Sequence, residues 1–311
     1  MPKHNKPREG SLQFWPRKRI RKFLPSVNWK AIKSDSKMLG FIAYKVGMGS
    51  VLVKDTSPDS MTKDKKIVIP VSVLELPPVK IFSVRFYKNN LVNQEVLVAE
   101  DKELKRIVKL GKKGNIDSAK DYDDIRIIIY SLAKNTGIKK TPNIAEIALS
   151  GTLDEKLKFA KEKIGKEIFA SEILKIGIID IRGLTKGKGL QGPVKRFGVK
   201  LKQHKSEKGR RRPGSLGPWH PAHTLFRSAM AGQLGFFTRI QYNSRLIKIG
   251  KANQIEKKEG WKKYGNIKTE YAIISGSVPG PAKRELLLTS SLRPSKSQEK
   301  KKYEFIKLIR K

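Results

Sequence analysis

The amino-acid sequence predicts a mainly β protein: a β-barrel with an α/β insertion, a long basic loop and basic terminal extensions. Three observations support this fold class. Apolar, β-branched runs recur both before and after residues 91–170. Residues 91–170 carry helix signals instead, and their 16 basic and 13 acidic residues nearly cancel. Residues 182–215 hold 12 Lys and Arg against one acid, with frequent glycine and proline and no helix or strand period.

The candidate barrel strands are apolar runs bounded by glycine or proline. Residues 37–55 are β-branched and punctuated by glycine, which is typical of a hairpin. Pro70 predicts that the run 66–75 is an edge strand or contains a bulge. The other predicted strands lie at 79–87, 173–181, 236–249, 271–278 and 285–289. Because strands stand on both sides of the insertion, we expect one discontinuous barrel.

The insertion is predicted to be a small α/β unit. Thr152 and Glu155 have the spacing of a capping box, followed by apolar residues at helical spacing and then by Gly165. The other predicted elements are a strand at 125–130 and two short helices at 101–110 and 141–151. Its nearly balanced charge predicts that the insertion faces solvent or other proteins rather than nucleic acid.

These patterns divide the chain into seven predicted segments. In chain order they are a basic extension (1–36), the first part of the barrel (37–90), the insertion (91–170), a barrel strand (171–182), the basic loop (183–235), the rest of the barrel (236–292) and a basic tail (293–311). The last segment carries eight basic residues against two acids. Both ends and the central loop are therefore strongly cationic.

Composition restricts the partner and the compartment. The 311 residues carry a formal net charge of +40, so a permanent polyanionic partner is expected. A membrane surface is the alternative, but no amphipathic basic helix with an aromatic face and no apolar run of about 20 residues is found. The N-terminus lacks the apolar core of a signal peptide, and there is no cysteine, which together predict a cytoplasmic protein.

Aromatic residues beside basic clusters favour nucleic acid as that partner. Phe14, Trp15 and Phe23 flank an N-terminal basic cluster. Their rings could stack on bases while the cations contact phosphates. The alternative is that this segment is a disordered tail that resembles a nuclear-localisation signal. Trp219 follows three consecutive arginines and has Gly, Pro and His neighbours, so contact with folded RNA is favoured over burial in a core. The residues predicted to bind RNA are Arg17, Lys18, Arg19, Arg21, Lys22, Lys186, Lys188, Lys195, Arg196, Lys200, Lys202, Lys205, Arg210, Arg211, Arg212, Trp219, His220 and His223.

Catalytic and metal chemistry find little support. Residues 183–189 lack the phosphate-loop pattern, since Lys188 is followed by glycine and Arg182 stands where the first glycine is required. His220 and His223 could be a metal pair, but no third ligand is evident. We predict no catalytic residue, metal, cofactor or small-molecule substrate. Two alternative functions remain to be considered. An RNA-modifying enzyme would need a nucleotide or methyl-donor pocket, and no sequence signal for one is found. A chromatin protein would bind duplex DNA, but aromatic residues at turn-rich loop tips suit folded RNA better.

Five motifs resemble one protein family. Residues 210–239, RRRPGSLGPWHPAHTLFRSAMAGQLGFFTR, closely resemble the L-three family of large ribosomal subunit proteins in its archaeal and eukaryotic form. The supporting motifs are GSLQFWPRKR, GFIAYKVGMGSV, RGLTKGKGLQGPVKRFG and SGSVPGPAKREL. The resemblance covers essentially the whole chain, although the insertion matches in position more than in motif.

The resemblance implies a location and a role. It implies a translation-protein-type β-barrel on the outer face of the large subunit, near the factor-binding region. It further implies a loop that runs through ribosomal RNA toward the peptidyl transferase centre, with Trp219 at its tip near the aminoacyl-tRNA end. Early assembly, direct binding of large-subunit RNA and contacts with neighbouring ribosomal proteins are implied as well. The chain departs from the family pattern at Gly49, where threonine is common, and at Glu207, where eukaryotic relatives have a modifiable histidine.

Overall fold

The computed structural model describes residues 10–20, 22–119, 121–205, 208–254 and 259–309. The chain forms two compact units. The first, which we call the loop unit, comprises Met1–Lys22 and Leu184–Thr238. The second, the barrel unit, comprises Phe23–Gly183 and Arg239–Lys311. Within the described ranges, no helix is long and apolar enough to cross a membrane.

The described strands and helices confirm the mainly β prediction. The strands are β1 (Gly40–Asp55), β2 (Lys66–Leu76), β3 (Val79–Lys88), β4 (Leu91–Leu97), β5 (Asp124–Ser131), β6 (Ile144–Ala148), β7 (Ile178–Leu184), β8 (Leu190–Gln191), β9 (Gly232–Gln233), β10 (Thr238–Lys251), β11 (Glu270–Ser275), β12 (Glu285–Ser290) and β13 (Tyr303–Ile309). The α-helices are α1 (Ala133–Thr136), α2 (Leu153–Lys163), α3 (Ala170–Ile173), α4 (Pro193–Phe197) and α5 (Lys296–Lys300).

A closed ring of strands forms the barrel. The hydrogen-bonded order is β12-β7-β10-β11-β2-β1, and β1 pairs again with β12. Strand β1 makes this closure possible because it is 16 residues long: its first part, from Gly40 to Tyr44, pairs with β12, and the part from Tyr44 to Lys54 pairs with β2. Closure leaves few free strand edges, which protects the sheet from pairing with other chains.

The second half of strand β2, from Val71 to Leu76, is buried on both faces. In β2, Leu74 and Leu76 enter one apolar cluster, whereas Val71 and Val73 enter another. Successive side chains of a strand point to opposite faces, so both faces of β2 are covered. This explains why the run reads as almost continuously apolar. The first cluster also includes residues of the insertion, so the insertion and the barrel share a core.

The insertion builds a second, four-stranded sheet in the order β4-β3-β5-β6. Strand β3, expected in the first part of the barrel, pairs in this sheet with β4 and β5. Helix α2 packs Phe159 and Ala160 into the core. Its predicted capping box is confirmed, since Thr152 Oγ1 accepts from Glu155 N and Glu155 Oε2 accepts from Thr152 N.

Two predicted helices of the insertion are wrong. Residues 144–148 form β6, because their alternating side chains match the adjacent strand β5 and this pairing overrides the Thr-Pro helix signal. In residues 101–110 only Leu104–Arg106 is helical, as a single 3-10 turn. Its apolar residues cover one face of the sheet as an irregular segment, with Leu104 fully buried.

Residues 37–55 do not form the predicted hairpin. They make one long strand with a bulge between Lys45 and Gly47. The glycine reflects close packing rather than a turn, because a Cβ on Gly47 would lie 3.1 Å from the Trp261 ring. The prediction for Pro70 also needs correction. Strand β2 is central, but its pairing with β11 stops at Val71, so Pro70 lies just beyond the doubly paired part of the strand.

Two further differences concern the strand predicted at 173–181 and the C-terminal segment. The predicted strand 173–181 begins later, at Ile178, because residues 170–173 form α3. The C-terminal segment is more than a basic tail. Its strand β13 pairs with β1 from Ser50 to Asp55, and Phe305 and Leu308 pack against the core.

Candidate nucleic-acid interface

The stem of the loop is a narrow antiparallel ribbon within the loop unit. Thr185 N donates to Phe237 O at 3.0 Å, and Lys188 N donates to Leu234 O at 3.0 Å. Strands β8 and β9 continue the pairing. Gly235 is required here, because its φ is +74° and a Cβ would lie 1.9 Å from the Lys186 carbonyl oxygen. The glycine-rich sequence therefore forms a specific stem rather than a phosphate loop.

Arg196 holds the two sides of the loop together. Helix α4 places it in the interior, where it is only 9% exposed. Its Nη1 donates to the Met230 carbonyl, and its guanidinium lies 5.0 Å from the Phe197 ring centroid. Burial lowers the pKa of Arg196, as expected for a cation removed from water. The contacts of this residue are thus with its own chain.

An aromatic cluster joins the N-terminal segment to the loop. The Trp15 ring stacks on Phe197, with centroids 6.4 Å apart, and meets Phe226 edge-on at 5.6 Å. The Arg17 guanidinium lies 4.7 Å from the Phe197 centroid and 5.2 Å from that of Trp15. Of the aromatic residues expected to stack on bases, Trp15 is therefore packed within the protein, while Phe14 is exposed. No local pattern predicts the contacts between the two segments, since Trp15 and Arg17 are far from Phe197 and Phe226 along the chain.

The outer part of the loop is held by hydrogen bonds to backbone carbonyl groups instead of an apolar core. Lys202 N donates to Arg210 O at 3.1 Å, and Arg210 Nε donates to Lys202 O at 3.2 Å. Ser228 Oγ donates to Leu216 O at 2.6 Å. Residues 224–235, whose apolar residues have near-helical spacing, form turns followed by β9 and no helix. Trp219 is 89% exposed at the end of this part.

Most of the predicted RNA-binding side chains are exposed. The exposed ones are Lys18, Arg19, Lys22, Lys186, Lys188, Lys195, Lys200, Lys205, Arg210, Arg211, Arg212, Trp219, His220 and His223. Arg17 and Lys202 are half-buried, Arg196 is buried, and Arg21 lies outside the described residues. Lys208 is a further exposed cation of the same unit that the prediction omitted, although its charge alone could have identified it. RNA binding by each of these residues stays a prediction.

The electrostatics of the loop unit are one-sided. Its described residues, at 10–20, 22, 184–205 and 208–238, include 16 Lys and Arg but no Asp or Glu. No acid within these residues neutralises the cations, so the surface is suited to a polyanion. Throughout the described part of the chain, no group of three or more His, Asp or Glu residues could hold a metal ion.

This fold and this surface define a mainly β structural protein with a polycationic loop. The chain matches the family model described as Ribosomal protein L3, over residues 1–106 and 98–310. It therefore belongs to the ribosomal protein L3 family, whose members are structural components of ribosomes and not enzymes.

Archaeal relatives match over almost the full length. The large ribosomal subunit protein uL3 of Archaeoglobus fulgidus is 39% identical over 312 residues, covering 95% of this chain and 94% of the relative. The uL3 protein of Methanobrevibacter smithii is 37% identical over 320 residues, covering 96% and 95%. That of Methanocaldococcus jannaschii is 36% identical over 309 residues, covering 93% and 92%.

Proposed function

We propose that the protein is a structural constituent of the large ribosomal subunit that binds large-subunit ribosomal RNA directly. The observation that carries this proposal is the loop unit, whose described residues have 16 cations and no acid. Lys and Arg side chains neutralise RNA phosphates and release their counterions, which supplies most of the affinity. The names of the archaeal relatives support the same assignment. In the cell the protein then resides in cytoplasmic ribosomes.

The loop extends toward the peptidyl transferase centre, with Trp219 at its tip. This finer part of the proposal is supported by the family resemblance and by the 89% exposure of Trp219, which a core residue would not have. An indole without an apolar shell gains most by stacking on a base. The hydrogen bond from Thr185 N to Phe237 O pairs the two sides of the stem at the base of the loop.

The protein also helps to nucleate assembly of the large subunit. A stable barrel with cationic segments at both ends and in the loop can bind several RNA regions at once and hold them together. The predicted division into extensions, barrel, insertion and loop supports this role. Neighbouring large-subunit proteins are the partners of surfaces that do not bind RNA.

Sedimentation of a tagged copy tests the proposal. The tagged protein should co-migrate with large subunits in a sucrose gradient after a wash at high salt. Free sedimentation of the tagged protein, or co-migration that the wash abolishes, would contradict a role as a structural constituent.

A further inference from the structure

We infer that the insertion carries a second RNA-binding site, a basic pocket that binds backbone phosphates. The pocket is a cavity of about 640 Å³ in the barrel unit. Its charged lining residues are Lys102, Glu103, Arg106, Lys134, Lys139 and Lys140. The inference rests on the proposed function, since it assigns a further surface to the same RNA partner.

The fold creates this concentration of charge. Residues 102–106 form the turn that covers one face of the four-stranded sheet, and residues 134–140 follow β5 at the end of that sheet. The two segments are about 30 residues apart in sequence, so the averaged charge of residues 91–170 conceals the cluster. Lys268 also approaches, with its Nζ 3.1 Å from where a Cβ would stand on Gly137.

Most of the pocket cations form no ion pair with an acid among the described residues. Among the described residues, Lys102, Arg106 and Lys140 make no ion pair, whereas Lys134 Nζ pairs with Glu103 Oε1 at 3.8 Å. Five other cations of the insertion are paired: Lys113, Arg126, Lys156, Lys161 and Lys163. The pocket lining therefore has five cations and one acid, Glu103, and keeps an excess of positive charge.

Lys139 gives the pocket a partly buried cation. Its Nζ lies 5.4 Å from the Tyr44 ring centroid. Burial lowers the pKa of Lys139, although Glu285 acts in the opposite direction. A cation that is removed from water and forms no ion pair is stabilised by a bound anion. A concave, cationic site of this size suits the repeating phosphates of an RNA strand.

Two matched triple variants test the site by RNA affinity. The pocket variant replaces Lys102, Arg106 and Lys140 with alanine. The control variant replaces Lys112, Lys158 and Lys166 with alanine; these residues are also exposed, lie in the same insertion and make no ion pair within the described residues. Both variants lose three charges and no buried contact, so both should fold, as their melting curves will verify.

The readout is the affinity of the full-length protein for purified large-subunit ribosomal RNA over a range of salt concentrations. The pocket variant should reduce the slope of log K against log salt by about 2 to 3, since each lost phosphate contact removes about 0.7–0.9. The control variant should leave the slope almost unchanged. Equal slopes for the two variants would overturn the inference.

A third variant separates failure of the pocket from failure of the proposed function. Replacing Arg210, Arg211 and Arg212 with alanine should reduce the slope through the loop, whether or not the pocket binds RNA. If this variant weakens binding while the pocket variant does not, only the pocket inference fails. If the wild-type protein shows no salt-dependent binding, the proposed function fails as well.

Lysine acetylation distinguishes RNA from an acidic protein as the occupant. In intact large subunits Lys102 and Lys140 should react more slowly than in the free protein, and ribonuclease treatment should restore their reactivity. Unprotected lysines in the subunit would overturn the inference. Protection that survives ribonuclease would also overturn it, by identifying a protein partner.

Discussion

At the scale of single residues, Trp219 and Trp29 offer a direct contrast. Trp219 is 89% exposed, whereas Trp29 is 4% exposed in the core. Trp29→Ala should therefore cost about 3–5 kcal/mol of stability, because it opens a cavity. Trp219→Ala should leave the melting curve of the free protein almost unchanged.

The cost of Trp219→Ala should instead appear in the ribosome. If the indole stacks on RNA, its loss removes about 1–3 kcal/mol of stacking, and subunits should assemble but show altered peptidyl transfer. The measurement compares the melting of the free protein with peptidyl transfer by purified mutant subunits. A large fall in melting temperature with normal peptidyl transfer would mean that Trp219 is a core residue.

Arg196 leads to a different prediction from its neighbour Lys195. Arg196→Ala removes the donor to the Met230 carbonyl, which should destabilise the loop locally by about 1–3 kcal/mol. Lys195 is exposed, so Lys195→Ala should have little effect on the free protein. Chymotrypsin should cut the loop faster in the Arg196 variant alone. Equal cleavage of both variants would show that Arg196 does not hold the loop.

At the scale of elements, Asp55 organises the connection between β1 and β2. Its carboxylate accepts from Ser57 N at 3.0 Å and from the hydroxyls of Ser60 and Thr62, each at 2.6 Å. Hydrogen bonds from the side chains of Ser57, Ser60 and Thr62 hold the pKa of Asp55 well below its usual range. The same connection is tied to the start of β13, because Lys302 N donates to Ser57 Oγ at 3.0 Å.

Stability should depend on the charge of Asp55. Because its pKa is lower in the folded chain, its contribution is fully present above the unfolded pKa of about 3.9 and is lost as the pH falls through the folded value. The free energy of unfolding of Asp55→Asn should thus be lower than that of the wild type at pH 7, and the difference should shrink at acid pH. Urea unfolding at several pH values measures this. A difference that grows on acidification would contradict the argument.

At the scale of the whole molecule, the net charge of +40 makes RNA affinity strongly dependent on salt. Each phosphate contact should contribute about −0.7 to −0.9 to the slope of log K against log salt, so several contacts give a steep slope. Filter binding of the free protein to ribosomal RNA between low and physiological salt measures it. Affinity that hardly changes with salt would rule out an interface dominated by phosphates.

The prediction of the fold succeeded where the signals were local. The capping box at Thr152 depends on residues one helical turn apart, so it could be read directly. The helix predicted at 141–151 failed, because pairing with β5 outweighs a local Thr-Pro signal. The glycines of β1 suggested a turn, but their role depends on contacts with distant residues. Gly47 marks the close approach of Trp261, which is more than 200 residues away.

The sequence by itself determined the charge, the family and the basic character of the loop. The charge is a sum over residues, and the family is recognised from the order of residues in short motifs, so neither requires knowledge of which segments meet. Only the tertiary structure decided that β1 closes the ring with β12, that Arg196 turns inward, and that Lys102 and Lys140 line one pocket. Each of these depends on contacts between distant segments, whose energies depend on packing and pairing rather than on composition.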